Sequence, residues 1–587
     1  MKKTFLLSCL MLAAMPVMAA YTGHVYVDKN KNGVFDQSEK PLAGIKVSDG
    51  LNVVETAADG SFTLPGHERE RFIFITTPSG YKTFNRHYHK IEKKQSGYDF
   101  GLIPYSGRIR KDGSHRYIHI TDTEIFNTEN HADWVNNVRD YARNEQAAFI
   151  IHTGDICYEK GLKAHIKLMN TENMDCPVFY CIGNHDLVKG KYGEELFESI
   201  YGPVYYSFDA GNVHYVVTPM SGGDHAPGYT SDDVCRWLKN DLAHIRPGTP
   251  VVVFNHDLLT YEDTFIFKSK NAGSINLNEY NLKAWVYGHW HINYMKKQGD
   301  VYSVCTSSLD KGGIDHSTTA FRVMHVDSKG DFTSELRYTY LDKNICIASP
   351  AGVMASGVLP VAVNVYSSVS PVREVLYTCL ADGKPVLKNK RLLQSTDWSW
   401  NGELPLSHKY VGKELTLRVT ARFNNGEIAE AESNFICRTE KTVPLFSADW
   451  DNLSGNAKHS APVSAPLNLP LQLAWTNNVG ANLYMTSPLI HKGKVIVASV
   501  DEDLKGAGHV YALNGKDGTI LWSCPVRNSI KNSIAVDSDI VFAQDAQGFL
   551  YAIDTETGKL CWEKQLPVNG LPALIDGLVA GEGVVYA

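Results

Sequence analysis

The sequence predicts a multidomain chain: an α/β core between two small β-modules, with a further β-rich region after them. Three observations predict it. Between residues 106 and 345, strand-like runs alternate with helical stretches, the pattern of an α/β domain. On either side, short Val-, Ile-, Tyr- and Phe-rich runs lie between turn residues. Near the end, Val510-Tyr511-Ala512-Leu513 with Trp522 recurs as Leu550-Tyr551-Ala552-Ile553 with Trp562, a period of 40 residues.

A chain of 587 residues exceeds what one core supports. Its composition, 43% hydrophobic and 21% charged, is that of an ordinary globular protein. A net charge of -7 argues against a dedicated nucleic-acid binder, which carries a basic stripe, so no nucleic-acid scaffold is expected as a partner. The basic-aromatic cluster Arg86 to Lys94 reads as a solvated loop.

Residues 1–20 read as a secretory leader. Lys2 and Lys3 precede an apolar run from Phe5 to Leu12, and Val17-Met18-Ala19 fits a cleavage site. A lipoprotein box around Cys9 ranks second. No later stretch is apolar enough to span a bilayer, so an exported chain, periplasmic or at the cell surface, is expected. Ten cysteines remain after Cys9, without Cys-x-x-Cys pairs; Cys379 and Cys437 are the pair to test for a disulfide.

Residues 21–105 read as the first β-module, with strands at 25–27, 45–47, 53–56, 61–64 and 72–76. Asp28, Asn30, Asn32, Asp36 and Glu39, with Gly33 among them, have the spacing of a calcium loop. Helices flank such a loop in an EF-hand, whereas strands flank it here, and a polar turn is the other reading. The order D-x-N-x-N-G, L-x-G-x-x-V, D-G-S-F resembles the sandwich modules of bacterial exported proteins, which implies a structural role.

In the core, the strand-like runs 116–120, 147–151, 177–182, 251–254 and 284–287 each end in a metal-competent side chain. These are Asp122, Asp155, Asn184, His256, and then His289 with His291. A helical stretch, 133–143, follows the first run, and Ser231 is expected to cap another helix. In an extended chain residues i and i+2 point the same way, so His289 and His291 project together. Alone the doublet means little, because His-x-His also occurs as ordinary core or surface histidine and the chain has 22 His. Five strand-end coincidences in sequence are harder to explain as turn residues, since ligands in α/β sheets bind at strand carboxyl ends. Carboxylate, amide and imidazole donors suit Mn, Fe or Zn, and they outnumber the needs of one tetrahedral ion. Two divalent ions are therefore expected, and the water between them would lose a proton and act as nucleophile.

The motifs G-D at 154–155, G-N-H-D at 183–186, N-H at 255–256 and G-H-W-H at 288–291 resemble the calcineurin-like metallophosphoesterase family over residues 115–325. The resemblance implies a β-sandwich with flanking helices and a phosphoester substrate. It implies that Asp155 bridges the ions, that Asn184, His256 and His289 complete one, and that Asp122 and His291 hold the other. It further implies that His185 stabilises the phosphoryl oxygens and protonates the leaving alkoxide, with Asp186 orienting it. Two positions depart from the family. Glu124 stands where a second histidine is expected; it could ligate or weaken the site. Tyr158 stands where an acid is expected, leaving Glu159 or Asp186 to support His185. In the glycine-rich loop 219–229, His225 and Tyr229 are candidate substrate contacts, a solvated loop being the other reading.

Residues 346–440 read as a second β-module, which resembles an immunoglobulin-like sandwich. Trp398 and Trp400 could form a sugar-binding face or pack in a core. The repeats in 441–587 resemble quinoprotein-type β-propeller blades, a form widely used without cofactor. Two to three blades fit, so a propeller completed elsewhere or a fragment is expected. Taken together, the sequence reads as an exported phosphomonoesterase or phosphodiesterase carried between β-modules. The alternative is a non-catalytic binding protein for a glycan or protein, with a degenerate metal site. Which protein or glycan the β-modules would meet is not encoded in any legible motif.

Overall fold

The computed structural model describes residues 20–95, 97–439, 449–460, 473–483, 486–502, 506–567, 572 and 577–587. The expected leader lies outside the described residues. No helix among them is long and apolar enough to cross a membrane.

The chain opens with two small sheets. In one, Tyr21–Val27 pairs with Lys40–Pro41, Ser61–Leu64 and Phe100–Pro104, and the last of these with Tyr81–Thr83. In the other, Lys46–Ser48 lies between Val53–Glu55 and Phe72–Ile75, and Tyr88–Lys90 forms the far edge. Phe72–Ile75 shows why the run F-I-F-I is apolar throughout. Ile73 and Ile75 enter the module's own core, and Phe72 and Phe74 enter the core of the central domain. Phe74 reaches Trp237, with ring centroids 6.3 Å apart. Each phenyl ring buried this way contributes about 1.5–3 kcal/mol. The segment read as a solvated loop therefore contributes an edge strand, and Tyr88 is buried.

The central domain has two sheets packed face to face. The first runs Val178–Tyr180, Phe149–His152, His115–Ile120, Ala320–Val326, Phe332–Tyr338; its first three strands are parallel. The second runs Tyr206–Ala210, Val213–Val217, Val251–Phe254, Leu282–Tyr287, Val301–Cys305, Tyr294–Gln298, and its four inner strands are parallel. Parallel strands buried on both faces read as continuous apolar runs, as V-V-V-F at 251–254 does. Tyr117, Phe149 and Phe179 from the first sheet meet Phe208, Tyr215 and Phe254 from the second; Tyr117 and Phe149 stack at 4.7 Å. Helix Ala132–Asn144 buries Trp134, Val135, Val138, Tyr141 and Ala142 against the outer face of the first sheet. Helix Ser231–Leu242 covers the second sheet with Trp237 and Leu238. Its cap is Thr230 rather than Ser231: Thr230 Oγ1 accepts from Asp233 N at 3.2 Å, and the Asp233 side chain answers the Thr230 N–H at 2.9 Å.

Residues 344–438 form two further sheets, antiparallel except where Gly352–Ala355 pairs parallel with Ile428–Arg438, around one core that includes Val361, Val363, Leu417, Val419 and Phe435. Trp400 is buried in that core, so the two tryptophans do not share a sugar-binding face; Trp398 is half-buried, lines a cavity and donates through Nε1 to Asn482 Oδ1 at 2.8 Å. Cys379 and Cys437 are both free, and the strand Glu414–Phe423 separates theirs, which puts the pair out of disulfide reach. Beyond them, two four-stranded antiparallel sheets repeat one design: 489–526 and 535–565. Trp475 Nε1 donates to Gly515 O at 2.8 Å, and Trp522 Nε1 to Thr555 O at 3.0 Å, so a tryptophan indole caps the turn before the last strand of each sheet, with acceptors 40 residues apart.

Candidate metal centre

The carboxyl ends of both central sheets open onto one spot. The first sheet delivers Asp122, Asp155 and Asn184 just past Ile120, His152 and Tyr180. The second delivers His256 past Phe254, and His289 and His291 past Tyr287. The acids and amide come from one sheet and the imidazoles from the other. The backbone is contorted there. Asp122, Glu124, Asp155, His289 and His291 all have positive φ, between 42° and 65°. Such residues cost about 1–3 kcal/mol each and persist only where the surroundings fix them. The glycines of the motifs allow close approach: a Cβ on Gly183 would lie 2.2 Å from Asp155 Oδ1, and one on Gly288 would lie 1.9 Å from Thr121 Oγ1.

Ligand atoms of Asp155, His256 and His289 all lie within 4.8 Å of one another. His256 Nε2 stands 3.1 Å from Asp155 Oδ2, and its Nδ1 faces Thr153 O at 2.8 Å. Asp122 Oδ2 accepts from His289 N at 3.0 Å and from Thr121 Oγ1 at 2.8 Å. His291 Nε2 lies 3.4 Å from Asp122 Oδ1 and 3.5 Å from Glu124 Oε1. Three buried atoms of this group find no hydrogen-bond partner outside it: Asn184 Oδ1 faces none, His256 Nε2 faces Asp155, and Asp122 Oδ1 faces His291. Leaving a buried polar atom unbonded costs about 1–3 kcal/mol. Three converging on one place are what a cation site looks like, so the residues fit a metal.

Burial alone would raise the Asp155 carboxyl, but the facing His256 reverses this and brings it down to about 2. Burial opposes charge on His256, yet Asp155 and then Asp122 push it up to about 10. Burial and the neighbouring His256 hold His289 below the usual imidazole value, leaving a neutral ring with a lone pair to offer.

His185 and Asp186 separate in role. Asp186 is buried and accepts from Cys157 N at 2.8 Å and Gly183 N at 2.9 Å; burial and then Asp155 push it up to about 7. It holds the backbone of the G-D and G-N-H-D turns together and does not orient the imidazole. That falls to Asp224, whose Oδ2 lies 2.8 Å from His185 Nδ1. Burial works against a charge on His185, and the Asp224 contact outweighs it. Glu159 is exposed and paired with Lys163, so it supports nothing here. In the glycine-rich loop, Tyr229 is buried with its hydroxyl on Met220 O and is no substrate contact, while His225 is exposed beside Asp224. Asp224 was the acid to find, and the sequence signal for it was only a polar residue in a flexible-looking loop. Lys311 was also missed: its Nζ pairs with Glu124 Oε2 at 2.7 Å.

The N-terminal calcium-loop residues lie far along the chain, in a turn of their own. Asp28 accepts from Asn32 N and Gly33 N, at 3.2 and 2.9 Å; Glu39 spans Lys29 N and Asp36 N, at 2.9 and 3.2 Å. Asn30 Nδ2 donates to Asp36 Oδ2 at 2.7 Å.

Comparison with known families decides what the central domain is. Residues 115–293 match the family model for calcineurin-like phosphoesterase, and residues 29–104 match that for the N terminal of calcineurin-like phosphoesterase. The central domain is a calcineurin-like phosphoesterase domain. Residues 472–586 match the model for outer membrane protein assembly factor BamB, which makes the C-terminal region a BamB-like propeller region. No curated protein matches the chain. Among solved structures, a predicted phosphoesterase from Streptococcus pneumoniae TIGR4 is 11% identical, covering 38% of this chain and 98% of that one, with a TM-score of 0.19. BamB from Moraxella catarrhalis is 12% identical over 46% of this chain and 74% of its own, at a TM-score of 0.15. A europium-containing methanol dehydrogenase is 21% identical over 23% of this chain, at a TM-score of 0.20; the match spans 26% of its own length. The phosphoesterase domain implies metal-dependent phosphoester hydrolysis in general, with divalent metal.

Proposed function

We propose that the chain is an exported phosphoesterase, acting on monoesters or diesters, whose phosphoesterase domain holds two divalent ions. The single observation that carries this reading is that three buried polar atoms between two sheet ends, Asp122 Oδ1, Asn184 Oδ1 and His256 Nε2, find no hydrogen-bond partner outside the group of candidate ligands. Asp155 would be shared by both ions. Asn184, His256 and His289 would complete one, and Asp122, Glu124 and His291 the other. Bound divalent ions supply the charge that activates a water and neutralises the phosphoryl oxygens. The protein's own residues do the rest. Asp224 engages His185 at Nδ1, which leaves Nε2 to donate a proton to the departing alkoxide. Asp186 fixes the turns that carry Asp155 and His185. Residues 1–20 would direct export, and the β-modules would position the domain.

One observation favours the second reading, a binding protein with a weakened site. Lys311 already pairs with Glu124, a cation standing beside the second ion position. The test is hydrolysis of bis- and mono-4-nitrophenyl phosphate by the Mn-loaded chain, its Asp155→Asn form and its His185→Ala form. Turnover by the native chain well above both variants is expected. Equal rates in all three, with less than one metal per chain, would establish the binding protein instead.

A further inference from the structure

Five large apolar side chains between residues 106 and 345 are exposed: Phe126 by 58%, Tyr158 by 42%, Tyr261 by 50%, Ile314 by 61% and Tyr340 by 48%. Four of them sit on the loops that carry the metal centre. Phe126 follows Glu124, Tyr158 follows Asp155, Tyr261 follows His256, and Ile314 N donates to His291 O at 2.8 Å. Exposed apolar side chains mark a binding surface where they adjoin one another, as Phe126 and Tyr158 do.

The geometry is more specific than a patch. Phe126 and Tyr158 stack, with centroids 6.3 Å apart and planes 17° from parallel. Tyr158 in turn lies 5.3 Å from the His185 ring. Two rings thus lead outward from the His185 imidazole. Tyr158 is also the residue that replaces the acid expected three positions after Asp155. Its ring lies within electrostatic reach of Asp224, Glu124 and Asp155.

We propose that Phe126 and Tyr158 are specificity-determining residues that bind the alcohol portion of the ester, and that this alcohol carries a flat aromatic ring, as in a nucleoside or an aryl alcohol. The inference rests on the phosphoesterase reading above. A group leaving past His185 passes over Tyr158 first. Two exposed, nearly parallel rings present flat aromatic faces, which suit a flat ring better than an acyl chain. Asp224 on His185 disfavours an anionic leaving group.

The experiment compares esters of matched primary alcohols on the Mn-loaded full chain: adenosine 5′-monophosphate against ribose 5-phosphate, and benzyl phosphate against hexyl phosphate. A preference in kcat/KM for the ring-bearing member is expected. Phe126→Ala and Tyr158→Ala should each cut that preference about tenfold, chiefly through KM, the low end of what a base stacked on an aromatic side chain contributes. Tyr158→Phe should keep it. A preference confined to the adenosine pair identifies a nucleoside, and one confined to the benzyl pair an aryl alcohol. A preference unchanged in both alanine variants overturns the proposal, as does hexyl phosphate losing as much as benzyl phosphate, which would mark an alkyl chain. Turnover of none of the four esters, with none of the nitrophenyl esters either, overturns the phosphoesterase reading and this one together.

Discussion

Asp122 Oδ2 accepts a hydrogen bond from the backbone N–H of His289 at 3.0 Å. One sheet's first ligand is thereby clamped to a histidine of the other sheet, and Oδ1 is left facing His291 Nε2 at 3.4 Å across the gap between them. Asp122→Asn should preserve the fold, because the clamp needs only one oxygen. Mn content is expected to fall from two per chain to one, and turnover by about a thousandfold, the worth of several kcal/mol of charge stabilisation. Metal analysis alongside steady-state rates checks both.

The Asp224–His185 contact makes a second prediction. His185→Ala should lower kcat by about 10²–10⁴ while metal content stays at the native level. Asp224→Asn should lower kcat by a smaller factor, about tenfold, since the imidazole stays and only its orientation and basicity change. If Asp224→Asn instead strips the metal, Asp224 acts on the turn and not on the ring.

His214 gives a pH dependence away from the metal centre. Its ring is buried between Asp209 Oδ1 at 2.6 Å and Asp241 Oδ2 at 2.8 Å, with Lys46 near Asp209 and Ser207 on Asp241. Burial opposes its charge, and Asp241 and Asp209 overcome this and raise it above the usual imidazole value. A raised folded value means that folding takes up a proton. The stabilisation is complete below the unfolded value, about 6.5, and is lost as pH rises through the folded one. His214→Asn should therefore destabilise by about 3–5 kcal/mol near pH 6, where it leaves Asp241 buried without its cation. The gap to the native chain should narrow at alkaline pH in thermal melts.

The N-terminal turn supplies a calcium prediction. Asp28, Asp36 and Glu39 crowd one turn, and among the described residues no basic side chain pairs with any of them. These carboxylates accept N–H groups of their own turn, and a hard cation would relieve the repulsion by drawing their oxygens together in place of those donors. Calcium is expected to raise the melting midpoint, EDTA to reverse it, and Asp36→Ala to abolish the response. An unchanged midpoint means a plain polar turn.

Lys531 belongs to the BamB-like region, yet it is fully buried against the phosphoesterase domain. Its Nζ bonds Asp315 Oδ2 at 2.6 Å and also reaches Glu502 and Asn293 O. Lys531→Ala would leave two buried carboxylates facing each other, a loss of about 3–5 kcal/mol. Lys531→Arg should recover part of it. Asp315 sits one residue past Ile314, whose N–H holds His291 O, so a drop in Mn occupancy should accompany the unfolding shift.

How far the sequence revealed this arrangement differs from residue to residue. Asp155, Asn184, His256, His289 and His291 were legible because each ends an apolar run, and a strand end fixes a side chain in space. Asp224 was not, because its loop has no period and its contact with His185 spans 39 residues. Helix Tyr158–Leu168 was missed as well: it starts directly from the contorted turn at Asp155 with no side-chain cap to announce it. Lys531 and Phe74 show the same limit on a larger scale. Their partners lie in other domains, and an apolar or charged residue does not say which neighbour will cover it.

The positive φ angles at Asp122, Glu124, Asp155, His289 and His291 set the protein's two requirements against each other. Glycine relieves such a backbone at no steric cost, so Glu124→Gly or His291→Gly would remove about 1 kcal/mol or more of strain together with a ligand. A screen that rewards heat resistance alone would drift toward glycine at these turns and erase the chemistry. The most durable version of this chain and the most active one are different sequences.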